Sequence, residues 1–128
     1  MVFAAFNGNV RKVAELLSQG GRVDAREQGF TPLLVAAQYG HTEVCKLLLK
    51  TGKANVKETT PNGLTALLLA AHEDHTEVCE LLLEKGKANI EEKDANGDTA
   101  LILAASKGYA SIVTLLLSKG ARVDTRDK

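Results

Sequence analysis

Potential metal ligands are concentrated in one short stretch of this 128-residue sequence, namely His72, Glu73, His75, Glu77 and Cys79. Imidazole and thiolate groups are the usual ligands of a zinc ion, so a zinc site is one hypothesis for this stretch. The alternative is a structural origin, because the same H-x-x-x-C spacing also occurs at residues 41–45. We favour the structural interpretation, since ligands divided between a turn and a buried helix face seldom converge on one ion.

Acid–base chemistry has one further candidate, the run of charged residues at 91–94 (Glu-Glu-Lys-Asp). The sequence implies no apolar pocket beside it that would shift a carboxyl pKa, so we interpret the run as a solvated loop. Phosphate-binding glycine loops and nucleophile elbows are absent from the sequence. We therefore expect a protein that is not an enzyme and that binds neither a metal nor a cofactor.

Composition limits the class of protein and of partner. Hydrophobic residues make up 45% of the chain but aromatic residues only 4%, which indicates one domain with a core of Leu, Val, Ile and Ala. Lysine plus arginine and aspartate plus glutamate both number 16, which argues against binding to nucleic acid or to an anionic membrane. Apolar runs are too short to span a bilayer. Two cysteines and no signal-like start predict an intracellular protein, cytoplasmic rather than nuclear.

A repeat organises the whole chain. Thr31, Thr65 and Thr99 are spaced by 34 residues (65 − 31 and 99 − 65), and each is followed by an Ala-Ala pair at the same offset. Such a period is the signature of stacked helical units, so we predict an all-α solenoid forming a single domain over residues 1–128. The four helix-turn-helix units, joined by turn-rich fingers, are expected at 1–28, 29–62, 63–96 and 97–128.

The second unit shows the local signals most clearly. Thr31 can cap a helix and Pro32 suits its first turn. We predict helices over Leu33–Tyr39 and Thr42–Lys50, with Gly40 in a left-handed turn between them. The third unit has Asp74 where Gly40 stands in the second, which should strain that turn.

The outer units are expected to differ in polarity. In the first, Lys12 and Glu15 occupy positions that are apolar in the second unit, as an end repeat requires, so we predict an N-terminal cap. The last helix, Ala110–Ser118, is as apolar as an internal repeat, so we expect either that the chain ends before its natural C-terminal cap or that Ile112 and Leu116 are partly exposed. We expect a monomer, with weak association through this uncapped C-terminal repeat as a possibility. Residues 121–128 resemble the start of another finger.

The sequence Thr31–Leu49, TPLLVAAQYGHTEVCKLLL, resembles the ankyrin repeat, whose signature is T-P-L-H-x-A at a period of about 33. TALLLAA and TALILAA in the later units extend the resemblance over the whole chain. The family's histidine is replaced by Leu34, Leu68 and Ile102, so its contacts between repeats should be missing. Lys53 and Lys87 are one-residue insertions that should change how the fingers begin.

Cys45 and Cys79 are expected to be buried small hydrophobes, because they align with Val13 and Val113 in the other units. A disulfide between them is not expected. Equivalent residues in stacked helices lie about 8–10 Å apart, and bridged Cα atoms about 7 Å at most.

The resemblance implies a binding surface formed by the fingers and the concave side of the first helices. The corresponding residues in the second to fourth units are Phe30, Gln38, Tyr39, Leu64, His72, Glu73, Asp98, Ser106 and Lys107. We expect Phe30, Tyr39 and Leu64 to be apolar anchors, while Glu73, Asp98 and Lys107 set orientation. Phe6 lies at an equivalent position, and the alternative is that Phe6 and Phe30 fold down over the core.

The function implied by the resemblance is recognition of a partner protein through this preformed surface, without catalysis. The alternative is that the chain is a structural spacer within a longer ankyrin array of a multidomain protein.

Overall fold

The computed structural model describes residues 1–123, and within them it contains eight helices, two in each predicted unit. They are α1 (Val2–Phe6), α2 (Val10–Ser18), α3 (Pro32–Gln38), α4 (Thr42–Lys50), α5 (Ala66–His72), α6 (Thr76–Glu84), α7 (Ala100–Lys107) and α8 (Ala110–Ser118). The described part of the chain has no β-strand and only an isolated bridge between Glu27 and Phe30. The all-α prediction is therefore confirmed. The finger expected over 121–128 falls mostly outside the described residues.

The helices stack in two parallel rows. Helices α1, α3, α5 and α7 form an inner row, and α2, α4, α6 and α8 form an outer row. Neighbouring inner helices pack more closely than neighbouring outer helices, so the stack curves toward the inner row and the fingers. We call this curved surface, made by the inner row and the fingers, the concave groove. No helix within residues 1–123 is long and apolar enough to cross a membrane.

Threonine caps fix the start of three inner helices. The hydroxyls of Thr31, Thr65 and Thr99 accept the backbone N–H three residues further on, at 3.3, 3.3 and 3.4 Å. All three threonines are buried, so their hydroxyls satisfy amides that water cannot reach. The predicted cap at Thr31 is confirmed, and the helix it starts begins at Pro32.

Left-handed turns join the two helices of each unit, as predicted. The backbone φ angle is +74° at Gly40 and +75° at Gly108, and Asp74 adopts +65° in the equivalent turn. Because a side chain in this region is unfavourable by about 1–2 kcal/mol, Asp74 is a local weak point of the third unit.

Two histidines, each in the turn just before an outer helix, join neighbouring units. Nε2 of His41 lies 2.9 Å from the carbonyl oxygen of Phe6, and Nε2 of His75 lies 2.9 Å from that of Gln38. The His75 ring covers Gly40 so closely that an added Cβ would lie 2.5 Å from Nδ1. Glycine is therefore needed there for space as well as for its φ angle. These bonds link repeats that lack the histidine of the T-P-L-H motif.

The core runs without interruption through all four units and is mainly leucine and alanine. Cys45 and Cys79 are fully buried within it, as predicted, and both are free thiols.

One of the two expectations about the fourth unit is wrong. Ile112 and Leu116 are fully buried rather than partly exposed. Ile112 is equivalent to Val44 and Val78, which are also fully buried. The exposed apolar side chain of α8 is instead Leu117, which is 45% exposed.

The opposite end of the stack carries a charged pair. Lys12 and Glu15 on α2 form a salt bridge of 3.6 Å, and their side chains are 53% and 54% exposed. These two residues therefore give the first unit a polar outer surface, where the second unit has the apolar Val44 and Leu47.

The fingers end in tight turns that place the next residue over the groove. Glu27 and Phe30 exchange two backbone hydrogen bonds of 3.0 Å, and the N–H of Thr60 donates to the carbonyl of Leu64 at 2.9 Å. At their other end, the inserted Lys53 and Lys87 adopt left-handed φ angles of 54° and 57°. The insertions therefore do change how the fingers begin, as predicted.

Candidate protein-binding surface

A cavity lies at the N-terminal end of the concave groove, between α1, α3 and the first finger. It has a volume of about 660 Å³ and is lined by Met1, Val2, Phe3, Phe6, Glu27, Gln28, Phe30, Val35, Gln38 and Tyr39. We call it the aromatic pocket. Its lining is mostly apolar, with one carboxylate at the rim.

Three aromatic side chains of this pocket are exposed to solvent. Phe3 is 75% exposed, Phe6 43% and Tyr39 49%. The rings of Phe6 and Tyr39 meet edge to face, with centroids 4.9 Å apart and an interplanar angle of 85°. This contact spans two units and restricts both rings.

A second cavity lies two units further along the same groove and has two aspartates in its lining. It has a volume of about 360 Å³ and is lined by Asn62, Leu64, His72, Asp94, Ala95, Asn96, Asp98 and Leu103. We call it the acidic pocket. Oδ1 of Asp94 accepts the backbone N–H groups of Asn96 and Asp98, both at 2.9 Å, which fixes the carboxylate at the finger turn.

The residues predicted from the sequence separate into three groups. Phe30, Gln38 and Tyr39 meet in the aromatic pocket, whereas Leu64, His72 and Asp98 line the acidic pocket. Glu73 lies beside the latter group, with Oε2 3.0 Å from Nδ1 of His72. Ser106 and Lys107 are exposed at the end of α7 and line neither pocket.

The alternative in which Phe6 and Phe30 fold down over the core holds for Phe30 and not for Phe6. Phe30 is partly buried and packs against the core. Phe6 remains exposed and contacts Tyr39 instead.

Sequence reasoning missed Phe3 and Glu27 as pocket residues. Phe3 stands in register with Val35 and Leu69, which are 6% and 4% exposed, so aligning the units would have shown an aromatic residue in an inner-face position. Glu27 had no comparable signal, because its place depends on the hairpin that pairs it with Phe30.

The thiols and imidazoles of the H-x-x-x-C segments have structural environments. Burial raises the pKa of Cys45 and of Cys79 to about 12, so both thiols are protonated and poor nucleophiles at neutral pH. The ring of His75 is used in its bond to Gln38. Residues 1–123 contain no group of three or more His, Cys, Asp or Glu side chains placed to hold a metal ion.

The charged run at 91–94 is less solvated than expected. Glu91, Glu92 and Asp94 are partly buried, and desolvation raises the pKa of Glu92. The groups that oppose this shift are the hydroxyl of Thr65, in the same unit, and the charge of Lys57, in the finger of the preceding unit. Glu92 thus packs between fingers.

A third cavity lies outside the groove, between the outer helices α4 and α6. It has a volume of about 450 Å³ and is lined by Lys46, Leu49, Lys50, Leu81 and Lys85. Its lining is basic where the concave groove is aromatic and acidic. A neighbouring cavity on the same outer face is lined by the four glutamates Glu43, Glu77, Glu80 and Glu84 together with Lys46 and Lys85, so this face carries both charges.

Comparison with known families agrees with this architecture. The family model described as "Ankyrin repeats (3 copies)" matches the chain over residues 1–58 and again over 52–127. Proteins with these repeats are generally protein–protein interaction modules and are generally non-enzymatic. The two matches cover nearly the whole chain and coincide with four stacked helix-turn-helix units. The chain therefore belongs to the ankyrin-repeat family.

Proposed function

We propose that this protein recognises a partner protein, without catalysis, through the concave groove. The observation that carries the proposal is the aromatic pocket, where Phe3, Phe6 and Tyr39 leave large apolar surfaces in contact with water. Aromatic side chains gathered in a concavity are typical of the residues that dominate binding energy at protein interfaces. Enclosed by a partner, these rings would be removed from water, which favours association.

The groove is organised before binding, which supports the proposal. Phe6 is held by Tyr39, and the helices below are fixed by buried threonine caps. A surface whose side chains are already ordered loses less conformational entropy when a partner docks.

Specificity is proposed to come from the polar half of the groove. Glu73, Asp98 and Lys107 stand where a partner crossing the third and fourth units would meet charge. Charges at such positions discriminate between partners more than they add affinity. We also propose that the protein acts as a monomer inside the cell, where its two thiols would stay reduced.

The experiment is a pull-down from source-cell lysate with the wild type and the double variant Tyr39→Asp/Leu64→Asp. The matched control is Leu117→Asp, which places the same charge on a side chain of similar exposure, 45% against 49% for Tyr39, but on the outer helix α8. Thermal melts followed by circular dichroism establish that all three proteins are folded. A protein captured by the wild type and the control, and lost by the double variant, supports the proposal. Equal capture by all three contradicts it.

A second candidate function is a structural spacer within a longer array. The observation that favours it is the surface of the fourth unit, where Ile102 and Ala105 are partly or fully exposed. Their equivalents in the third unit, Leu68 and Ala71, are fully buried. Under this interpretation the double variant and the wild type capture the same proteins, because the partners bind outside the concave groove.

A further inference from the structure

Four carboxylates lie along the concave groove. Glu27 lies at the aromatic pocket, Asp94 and Asp98 line the acidic pocket, and Glu73 stands next to it. Within the described residues, neither Glu27 nor Asp94 forms a salt bridge, and the ion-pair partner of Glu73 is His72. Among residues 1–123, no lysine or arginine forms a salt bridge with Glu27, Glu73 or Asp94.

Three cations lie near these carboxylates along the chain. Lys93 directly precedes Asp94, and within residues 1–123 it is exposed and forms no salt bridge with that carboxylate. The guanidinium of Arg26 donates from Nη1 to the carbonyl oxygens of Gly29 and Thr59, at 2.6 and 3.0 Å, and so joins two fingers. Lys107 follows Ser106 at the far end of α7 and lines neither pocket. A partner with positive charge would complement the groove.

The separation between the two pockets sets the length of an extended chain that could reach both of them. The aromatic pocket lies between the first and second units, and the acidic pocket between the third and fourth. Packed helices are about 8–10 Å apart, so a distance of two units is about 20 Å. An extended chain advances about 3.3 Å per residue, so five or six residues cover roughly that distance.

We propose that the occupant of the concave groove is an extended, positively charged segment of a partner protein. One large apolar side chain of the segment enters the aromatic pocket, and a lysine or arginine about five or six residues away meets Glu73, Asp94 and Asp98. The proposal rests on the proposed function and adds the chemical class of the ligand. Glu27 contributes by favouring a second basic residue next to the apolar anchor.

The test is selection of a random dodecapeptide phage library on the full chain, followed by fluorescence anisotropy with the selected peptides. Four proteins are compared: the wild type, Tyr39→Asp, Glu73→Gln/Asp94→Asn, and the control Glu77→Gln/Glu80→Gln. The control removes the same charge from exposed positions on the outer helix α6. Asparagine at position 94 keeps a side-chain oxygen that can accept the two finger N–H groups.

The expected peptides contain a large apolar residue and a Lys or Arg at the stated separation. Their affinity should fall by about tenfold or more in Tyr39→Asp. It should fall by about threefold to tenfold in Glu73→Gln/Asp94→Asn, stay unchanged in the control, and weaken with added salt.

Two results overturn the inference. If the selected peptides depend on Tyr39 but show no preference for Lys or Arg, or none for the spacing, the concave groove binds proteins by other chemistry and the proposed function stands. If no peptide is enriched, or binding ignores Tyr39→Asp, the groove does not take an extended segment. The proposed function is then decided separately by the lysate pull-down, because a folded partner can occupy a groove that an isolated peptide cannot.

Discussion

The ring of His75 over Gly40 allows the linkage between units to be measured directly. In Gly40→Ala, the new Cβ would lie 2.5 Å from Nδ1, 2.6 Å from Cε1 and 2.9 Å from Cγ of His75. The ring must move, and its 2.9 Å hydrogen bond to the carbonyl of Gln38 is then lost. The matched control is Gly108→Ala, because Gly108 has nearly the same φ angle, +75° against +74°, but nothing within 4 Å of an added Cβ.

Both substitutions place a side chain in the left-handed region, which is unfavourable by about 1–2 kcal/mol. Gly40→Ala adds the loss of one hydrogen bond, a net contribution of about 0.5–1.5 kcal/mol. We therefore expect the free energy of unfolding to fall by about 2–3 kcal/mol in Gly40→Ala and by about 1–2 kcal/mol in Gly108→Ala. The assay is urea denaturation followed by far-ultraviolet circular dichroism.

Repeating Gly40→Ala in a protein that lacks the His75 ring shows whether the extra loss of stability comes from that ring. In a protein that already carries His75→Ala, the ring is gone, so Gly40→Ala should destabilise no more than Gly108→Ala does. Equal losses for the two glycine substitutions in the wild-type background would refute the reasoning, because the ring would then make no difference.

Three further outcomes follow from the structure. Asp74→Gly should raise the free energy of unfolding by about 1 kcal/mol, since it relieves a non-glycine residue at φ +65°, and no gain in urea denaturation would contradict this. Glu92→Gln should stabilise the protein at neutral pH. Desolvation raises the folded-state pKa of Glu92 above its unfolded value of 4.5, so the charged form opposes folding at higher pH and the gain should vanish below about pH 4. If Glu92→Gln stabilised the protein equally at neutral pH and below about pH 4, desolvation of the charged carboxylate would be excluded as the cause. Cys45 and Cys79 should resist a disulfide reagent in the native state and release two equivalents in urea, because both are fully buried and burial raises the pKa of each to about 12.

The helices could be predicted from the sequence because their signals are local and repeated. Thr31 and Pro32 mark a helix start, Gly40 marks a turn, and the helix predicted at Thr42–Lys50 has those bounds in the structure. A change at the start of the fingers could also be predicted, since the inserted Lys53 breaks the alignment of the units, but its left-handed φ angle is known only from the structure.

The groove was less predictable because it depends on contacts between units. Equivalent positions showed that Tyr39 is exposed, but the edge-to-face contact of Tyr39 with Phe6 follows from the closeness of two repeats. The expectation for Ile112 was wrong because an apolar pattern identifies a buried stripe without saying which neighbouring unit covers it. The bond from His75 to Gln38 joins residues 37 apart and has no local signal.

Site-specific photo-crosslinking tests the central claim of a binding groove most directly. A benzophenone amino acid replaces Gln38, which lines the aromatic pocket, or Thr114, which is exposed on the outer helix α8, and each protein is irradiated in source-cell lysate. The account predicts a covalent adduct with a protein partner at position 38 and none at position 114. An adduct at position 114 alone, or at neither position, would contradict it.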